Sequence, residues 1–125
     1  MLQNLTLLLA RILLSAIFLQ AGFNKLMGPV SSIAYNAKLG LPVPQAVWAL
    51  TVAVELIGGL MILAGFRTRL VAPILAVFCV ATGFAAHYHP GDTGQMIHFM
   101  KNLAIAGGFL QLAATGPGRY AIGRS

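Results

Sequence analysis

Three ionisable side chains lie inside long apolar stretches of this chain, and they are the residues most able to do chemistry. Glu55 stands in the middle of the apolar run 48–66, and Arg11 and Lys101 stand inside two other apolar runs. A charged side chain at the centre of a bilayer costs roughly 2.5–3.5 kcal/mol on insertion scales, so it marks a function or a buried partner. One acid and two cations can form an ion pair, exchange a proton, or bind an anionic or carbonyl-bearing ligand.

The composition shows what kind of element must position these charges. Of the 125 residues, 58% are hydrophobic and only 8% are charged, and the mean hydropathy is +0.85. These values are typical of a membrane protein rather than a soluble domain. Because one crossing takes about 20 residues, the sequence predicts a single all-α domain over 1–125, an integral membrane four-helix bundle.

Turn-forming residues divide the chain into apolar segments. We predict helices over about 5–27, 46–66, 70–88 and 97–115, with Gly, Pro and charged residues between them. The segment 30–45 is mixed in character and rich in turn residues near its end. It predicts an amphipathic or irregular loop that lies at the membrane interface.

The basic residues near the helix ends predict the orientation. One side of the bilayer would carry both chain ends and four arginines, Arg67, Arg69, Arg119 and Arg124, against scattered lysines on the other side. Cytoplasmic loops of membrane proteins collect Lys and Arg. Both termini are therefore predicted to be cytoplasmic. Topology also explains the net charge of +6, so nucleic acid is not predicted as a partner.

Helical spacing places each of the three charges on a stripe that also holds small residues. At about 100° per residue, the stripes are Arg11, Ser15, Phe18, Gly22 and Lys25 in the first helix, Thr51, Glu55, Gly58, Gly59 and Ile62 in the second, and His98, Lys101, Ile105, Gly108 and Thr115 in the fourth. Small residues let membrane helices approach closely, so the stripes are predicted to face one another. By the rise per residue, Arg11 and Glu55 differ in depth by only about 6 Å, which predicts that they pair.

Two interpretations of these charges stay open. Arg11 and Glu55 form either a structural ion pair between two helices or part of a polar pocket for a ligand or proton. Lys101 adds a second cation to the single membrane acid, with Asn102 beside it. Lys101 either lines that pocket, which could then receive a quinone carbonyl or a small anion, or extends outward to the lipid head groups.

The histidines and the cysteine predict no metal centre. His87, His89 and His98 cluster at the outer rim, where solvated interfacial histidines are expected, and His98 is kept with Lys25 as a secondary site candidate. Cys79 stands alone in an apolar run, which gives neither a disulfide nor zinc-type spacing. No metal and no covalently bound cofactor is predicted, and a quinone held in the polar pocket is the cofactor that a redox role would use.

Three motifs, taken together and in order, resemble the DoxX family of small bacterial inner-membrane proteins. They are Arg11…Phe18…Gly22-x-x-Lys25-Leu26, Glu55-x-x-Gly58-Gly59…Leu63-x-Gly65, and Lys101-Asn102-Leu103-Ala104-x-x-Gly107-Gly108-x-Leu110 followed by Gly116-Pro117-Gly118. The resemblance covers nearly the whole chain. It implies a four-helix protein of the bacterial cytoplasmic membrane with links to redox systems, among them a thiosulfate:quinone oxidoreductase and complexes that handle oxidative stress. It supports the positions of Arg11, Glu55, Lys101 and Asn102 but implies no catalytic set.

Three function classes follow from these observations. The first, which we favour, is a redox-linked accessory or subunit of a membrane oxidoreductase system with a quinone in its polar pocket. The second is a small-solute or proton carrier, and the third is a scaffold without a ligand. The expected partners are the lipid bilayer, another redox subunit and further copies of the chain. Whether the protein is itself an enzyme is left open by the sequence.

Overall fold

The computed structural model describes residues 1–123, and every regular element in that range is helical. This confirms the all-α prediction. Arg124, one of the four arginines that predicted the orientation, lies outside the described residues. The elements are α1 (Leu2–Met27), α2 (Pro29–Lys38), α3 (Pro44–Ala64), α4 (Thr68–Thr82), which continues as a π-helical turn (Gly83–His87), and α5 (Thr93–Thr115).

The segment 30–45 differs from its prediction because much of it forms the helix α2. Pro29 occupies the first turn of this helix, where the missing N–H costs no hydrogen bond. Gly40 then adopts a φ of 78°, a left-handed conformation that turns the chain toward α3. The Nδ2 group of Asn36 donates to the carbonyl of Pro44 at 3.3 Å, which ties α2 to the start of α3.

Three segments are long and apolar enough to cross a membrane: Leu2–Met27, Pro44–Ala64 and Thr68–His87. The helix α5 is not among them, since its first half carries several polar side chains. It nevertheless packs against α4. At Gly83, the π-helical turn comes so close to α5 that a Cβ atom on this glycine would lie 3.4 Å from side-chain atoms of Phe99 and Asn102.

The helices form two tightly packed pairs, α1 with α3 and α4 with α5, and the pairs pack less closely on each other. Glycines make the first pair possible. A Cβ atom at Gly22 would lie 2.8 Å from Leu56, and one at Gly59 would lie 2.9 Å from Leu19. These glycines therefore set the distance between α1 and α3, as small residues do in membrane bundles.

Phe18 of α1 fills the space between the two pairs. Its ring meets that of Phe109 edge-on, with 5.3 Å between centroids, and lies 6.0 Å from that of Phe78. Such aromatic contacts contribute about 0.5–1.5 kcal/mol each beyond the area that they bury. The end of the bundle that holds Arg11 is called here the Arg11 end, and the end that holds Lys25 is called the Lys25 end.

Arg11 holds the helices together at the Arg11 end. It is buried, with only 1% of its surface exposed. Its Nε donates to the carbonyl of Ile62 at 3.1 Å, its Nη2 to that of Leu63 at 3.0 Å, and its Nη1 to that of Pro117 at 2.7 Å. Carbonyls in the last turn of a helix lack partners within the helix. Arg11 supplies such a partner to Leu63 and a second donor to Ile62, whose carbonyl also accepts the amide of Gly65. Through Pro117 it also holds the chain that follows α5.

That chain, residues 116–123, is named here the C-terminal strap because it crosses the Arg11 end. The amide of Ile122 donates to the carbonyl of Ala64 at 2.9 Å, and the amide of Arg119 donates to Oδ1 of Asn4 at 3.0 Å. The strap thus connects the start of α1 with the end of α3. It closes the bundle at this end.

Candidate functional site

A cavity of about 540 Å³ lies between the two helix pairs at the Lys25 end. Its volume is in the range of ligand sites of about 300–1,000 Å³. Apolar side chains make up much of the wall, and every helix contributes to it. The polar or ionisable side chains among its lining residues are Lys25, Ser32, Tyr35, Asn36, Thr51, Glu55, Cys79, Thr82, His87, His98 and Asn102. This inter-pair cavity is the candidate functional site.

An ion pair between Lys25 and Glu55 is the strongest polar feature of the inter-pair cavity. The Nζ atom of Lys25 lies 2.8 Å from Oε1 and 2.9 Å from Oε2 of Glu55. The Glu55 side chain is 8% exposed, whereas that of Lys25 is 37% exposed. The acid is therefore held inside the bundle by a cation that still faces the open volume.

The direction of helical side chains explains this pairing. The Cα–Cβ bonds of a helix tilt toward its N-terminus, and α1 and α3 run in opposite directions. Lys25, near the end of α1, therefore extends inward along the bundle, while Glu55 of α3 extends toward the Lys25 end. The two side chains meet between their backbone positions.

The predicted pairing of Arg11 with Glu55 is wrong, for the same physical reason. Arg11 also extends toward the N-terminus of α1, which takes its guanidinium away from Glu55 and toward the last turn of α3. The prediction compared only the depths of the two backbone positions. Arg11 does not line the inter-pair cavity, so its role is in the closure of the opposite end.

Trp48 fixes the backbone beside the ion pair. Its Nε1 donates to the carbonyl of Lys25 at 2.8 Å, a carbonyl in the unpaired last turn of α1. The hydroxyl of Thr51 in turn donates to the carbonyl of Trp48 at 3.0 Å. The end of α1 is thereby attached to the first turns of α3.

Asn102 lies on the opposite wall and holds α4 where it becomes a π-helical turn. Its Nδ2 donates to the carbonyl of Cys79 at 3.0 Å and to the hydroxyl of Thr82 at 3.2 Å. Within residues 1–123 the amide oxygen of Asn102 accepts no hydrogen bond, so it is free to accept one from a ligand. A π-turn inside a helix is often found at a functional site.

His87 and His98 stand at the rim of the inter-pair cavity, with ring centroids 5.2 Å apart. The Nδ1 atom of His87 is 2.8 Å from Oε1 of Gln95, which orients that ring. Across residues 1–123, no group of three or more His, Cys, Asp and Glu side chains is arranged to hold a metal ion. His98, a secondary candidate from the sequence, lines the cavity, where its ring nitrogens can form a hydrogen bond with a ligand.

Lys101 does not line the inter-pair cavity, which was one of the two positions that the sequence left open for it. Its side chain is exposed on the outer side of α5, among apolar residues. The buried side of α5 is set by bulk, since Phe99 and Phe109 fill the contact with neighbouring helices. Asn102 and His98 line the cavity, while Lys101 has the position of a side chain that extends to the head groups.

The sequence did not reveal what α2 contributes. The inter-pair cavity is lined by Ser32, Tyr35 and Asn36 of α2 and by Leu39, which directly follows the helix. Their spacing of three and four residues was the available signal, because it puts them on one side of a helix. The helix α2 therefore lies over the cavity.

Apolar helices long enough to cross a bilayer, with a buried ion pair at an internal cavity, define an integral membrane protein. The sequence profile of the DoxX family matches residues 6–88. Since this is more than half of the chain, the protein belongs to the DoxX family, which confirms the resemblance drawn from its motifs.

Two proteins of Escherichia coli (strain K12) are similar to this chain over nearly its whole length. The inner membrane protein YqjF is 42% identical over 123 residues, which cover 98% of this chain and 93% of that protein. The inner membrane protein YphA is 38% identical over 123 residues, which cover 94% of this chain and 88% of that protein. No solved structure matches the chain. The protein is accordingly located in the inner membrane, where the bilayer surrounds its helices.

Proposed function

We propose that the protein binds a quinone-type ligand in the inter-pair cavity and acts as an accessory or subunit of a membrane redox system. The observation that carries this proposal is the Lys25–Glu55 ion pair at the wall of an otherwise largely apolar cavity. An apolar pocket with a few convergent polar groups is the usual form of a site for a small amphipathic ligand. A quinone ring with its carbonyl oxygens has this character.

The polar groups match both redox states of such a ligand. The ammonium of Lys25 has three protons, so it can donate one to a ring carbonyl while Glu55 accepts the others. Once the ring is reduced, its hydroxyl groups can donate to Glu55 or to the amide oxygen of Asn102. Reduction takes up two electrons and two protons, and the proposal assigns the electrons to a partner redox protein.

The single tryptophan of the chain provides the binding assay, because Trp48 is hydrogen-bonded at the edge of the cavity. Protein in lipid nanodiscs would be titrated with a ubiquinone-type or menaquinone-type compound while the fluorescence of Trp48 is recorded. Saturable quenching is expected for the wild-type protein. The double variant Lys25→Met/Glu55→Gln removes both charges together, which avoids leaving one charge buried alone. It should weaken binding about tenfold or more, since a hydrogen bond to a charged group contributes roughly 1.5–3 kcal/mol.

Lys101→Met is the matched control, because it removes a lysine that lies outside the cavity. It should leave the quinone affinity unchanged. If no quinone quenches Trp48 saturably, or if Lys101→Met weakens binding as much as the double variant, the proposal is wrong. Counterflow of a solute or proton in liposomes without quinone binding would instead support a carrier, and the absence of both activities would support a scaffold.

We further propose that α5 is a fourth crossing and that both termini are cytoplasmic. Its 23 residues extend about 34 Å at 1.5 Å per residue, and it runs beside α4. Arg67, Arg69 and Arg119 all belong to the Arg11 end, which agrees with the excess of basic residues on the cytoplasmic side. In a Cys79→Ala background, a cysteine placed at the exposed Tyr120 should resist an impermeant thiol reagent in intact cells. Labelling of that cysteine from outside would contradict this topology.

A further inference from the structure

The inter-pair cavity reaches the outer surface of the helices below the ion pair. Three apolar residues both line the cavity and are exposed: Ile17, 46% of whose surface is accessible, Ala81 and Ala85. Ile17 lies in the middle third of α1, and an exposed apolar side chain at that depth faces lipid hydrocarbon. The cavity is therefore open to the hydrocarbon phase.

The helix α2 does not close this opening. In the described part of the chain, α2 packs on α3 and on α1 but makes no close contact with α4, with its π-helical turn or with α5. It is attached to one helix pair only, through Asn36 and Pro44 among others. A gap is thus left between α2 and the second pair.

The position of the opening relative to the ion pair suits a ligand with a head and a chain. Ile17 precedes Lys25 by eight residues on the same helix, which is about 12 Å nearer the middle of the bilayer at 1.5 Å per residue. A head group held at Lys25 and Glu55 would therefore direct its chain toward the bilayer centre. The cavity has room for a ring and the beginning of a chain but not for a chain of many isoprene units.

From this arrangement, and resting on the proposed function, we infer that the ligand is a long-chain lipid quinone that reaches the cavity sideways from the hydrocarbon core. Its ring occupies the cavity at the Lys25–Glu55 ion pair. Its chain leaves between Ile17 of α1 and Ala81 of α4 and remains in the lipid. A water-soluble solute would have no use for this lateral opening.

A phenylalanine substituted at the rim of the cavity distinguishes binding of the quinone chain from binding of the quinone ring. Ala81→Phe narrows the lateral opening, and Val77→Phe is the matched control, because Val77 lies one turn away on the lipid-facing side of α4, is 69% exposed and does not line the cavity. Both variants keep Trp48 as the single fluorescent reporter. Each would be titrated in nanodiscs with a quinone that carries a long isoprenoid chain and with the same ring carrying a methyl group instead.

We expect Ala81→Phe to weaken binding of the long-chain quinone about tenfold, because the added ring overpacks the space through which the chain leaves. Binding of the chainless ring should be unaffected. Val77→Phe should change neither. Equal weakening of both compounds, or no weakening of the long-chain one, would overturn lateral access while leaving quinone binding in place. If the wild-type protein binds neither compound, the proposed function itself fails and this inference fails with it. Equal thermal unfolding of the two variants shows that folding is not the cause.

Discussion

Replacement of Arg11 by methionine tests whether a single guanidinium holds the Arg11 end of the bundle together. Methionine fills much of the space of the arginine stem, so the change removes the hydrogen bonds with little loss of packing. The carbonyls of Leu63 and Pro117 lose their donor, whereas that of Ile62 loses one donor and keeps the amide of Gly65 at 3.1 Å. The substitution changes no residue that lines the inter-pair cavity.

The expected loss of stability follows from these three contacts. A buried polar group left without a partner costs about 1–3 kcal/mol, so the two unpaired carbonyls together cost roughly 2–6 kcal/mol. The variant also no longer buries a charge, which returns part of this cost. The balance is a free energy of unfolding lower by about 1–3 kcal/mol. A shift of this size lowers the unfolding temperature by on the order of 10 °C in a chain of this length.

Two measurements follow the effect, thermal unfolding in detergent and cleavage by trypsin. The C-terminal strap is held by Arg11 through Pro117, so its release should expose the peptide bond after Arg119 and speed cleavage there by about tenfold or more. Arg11→Lys should recover only part of the stability, because an ammonium cannot reproduce the planar fork of the guanidinium. Arg67→Met changes an exposed arginine and should stay within about 0.5 kcal/mol of the wild type.

The reasoning would be refuted if Arg11→Met unfolded at the wild-type temperature with its strap as resistant to trypsin as before. It would be refuted equally if Arg67→Met destabilised the protein as much as Arg11→Met. Quinone binding, measured through Trp48, should persist in Arg11→Met, since Ile17, the first cavity-lining residue of α1, lies about 9 Å along the helix from Arg11. A loss of binding at full folding would show that the two ends are coupled.

Three further predictions concern the inter-pair cavity and the helix contacts. Lys25→Met should destabilise the protein by about 3–5 kcal/mol in chemical unfolding because it leaves the buried Glu55 unpaired, and Glu55→Met should destabilise it less because Lys25 is 37% exposed. The double variant should recover part of the loss, and simple additivity would contradict the pair. Gly22→Ala should cost about 1–3 kcal/mol in the same assay because its Cβ has no room, whereas Gly107→Ala, where nothing lies within 4 Å, should be neutral or stabilising. Asn102→Leu should cost about 1–3 kcal/mol by loss of its bonds to α4, and unchanged unfolding would show that these bonds are dispensable.

The sequence predicted the helical segments well because the apolar runs are long and the breaks between them are rich in Gly and Pro. The predicted segment 46–66 corresponds to Pro44–Ala64, and 97–115 lies within Thr93–Thr115. Such boundaries depend on local composition alone. The helix α2 was missed because its polar residues and the turn after it resemble an interfacial loop.

The site was harder to predict because it depends on the direction of side chains and on bulk. Glu55 was recognised as a buried acid, but its partner is Lys25. The sequence had made Lys25 only a secondary site candidate. Spacing along a helix gives the face of a residue but not the direction in which a long side chain extends. Lys101 was assigned to the buried side by neighbouring small residues, whereas the aromatic Phe99 and Phe109 determine which side of α5 is buried.

The contact between Arg11 and the C-terminal strap also constrains the biogenesis of the protein. Arg11 and Pro117 are 106 residues apart in the chain, so the ribosome adds that whole stretch before the last acceptor of this guanidinium exists. A cation in a membrane helix is costly while it lacks partners in the lipid. Until Pro117 is in place, Arg11 has only the carbonyls of Ile62 and Leu63 as acceptors. The guanidinium is therefore fully paired only after the C-terminal strap has folded back over the Arg11 end.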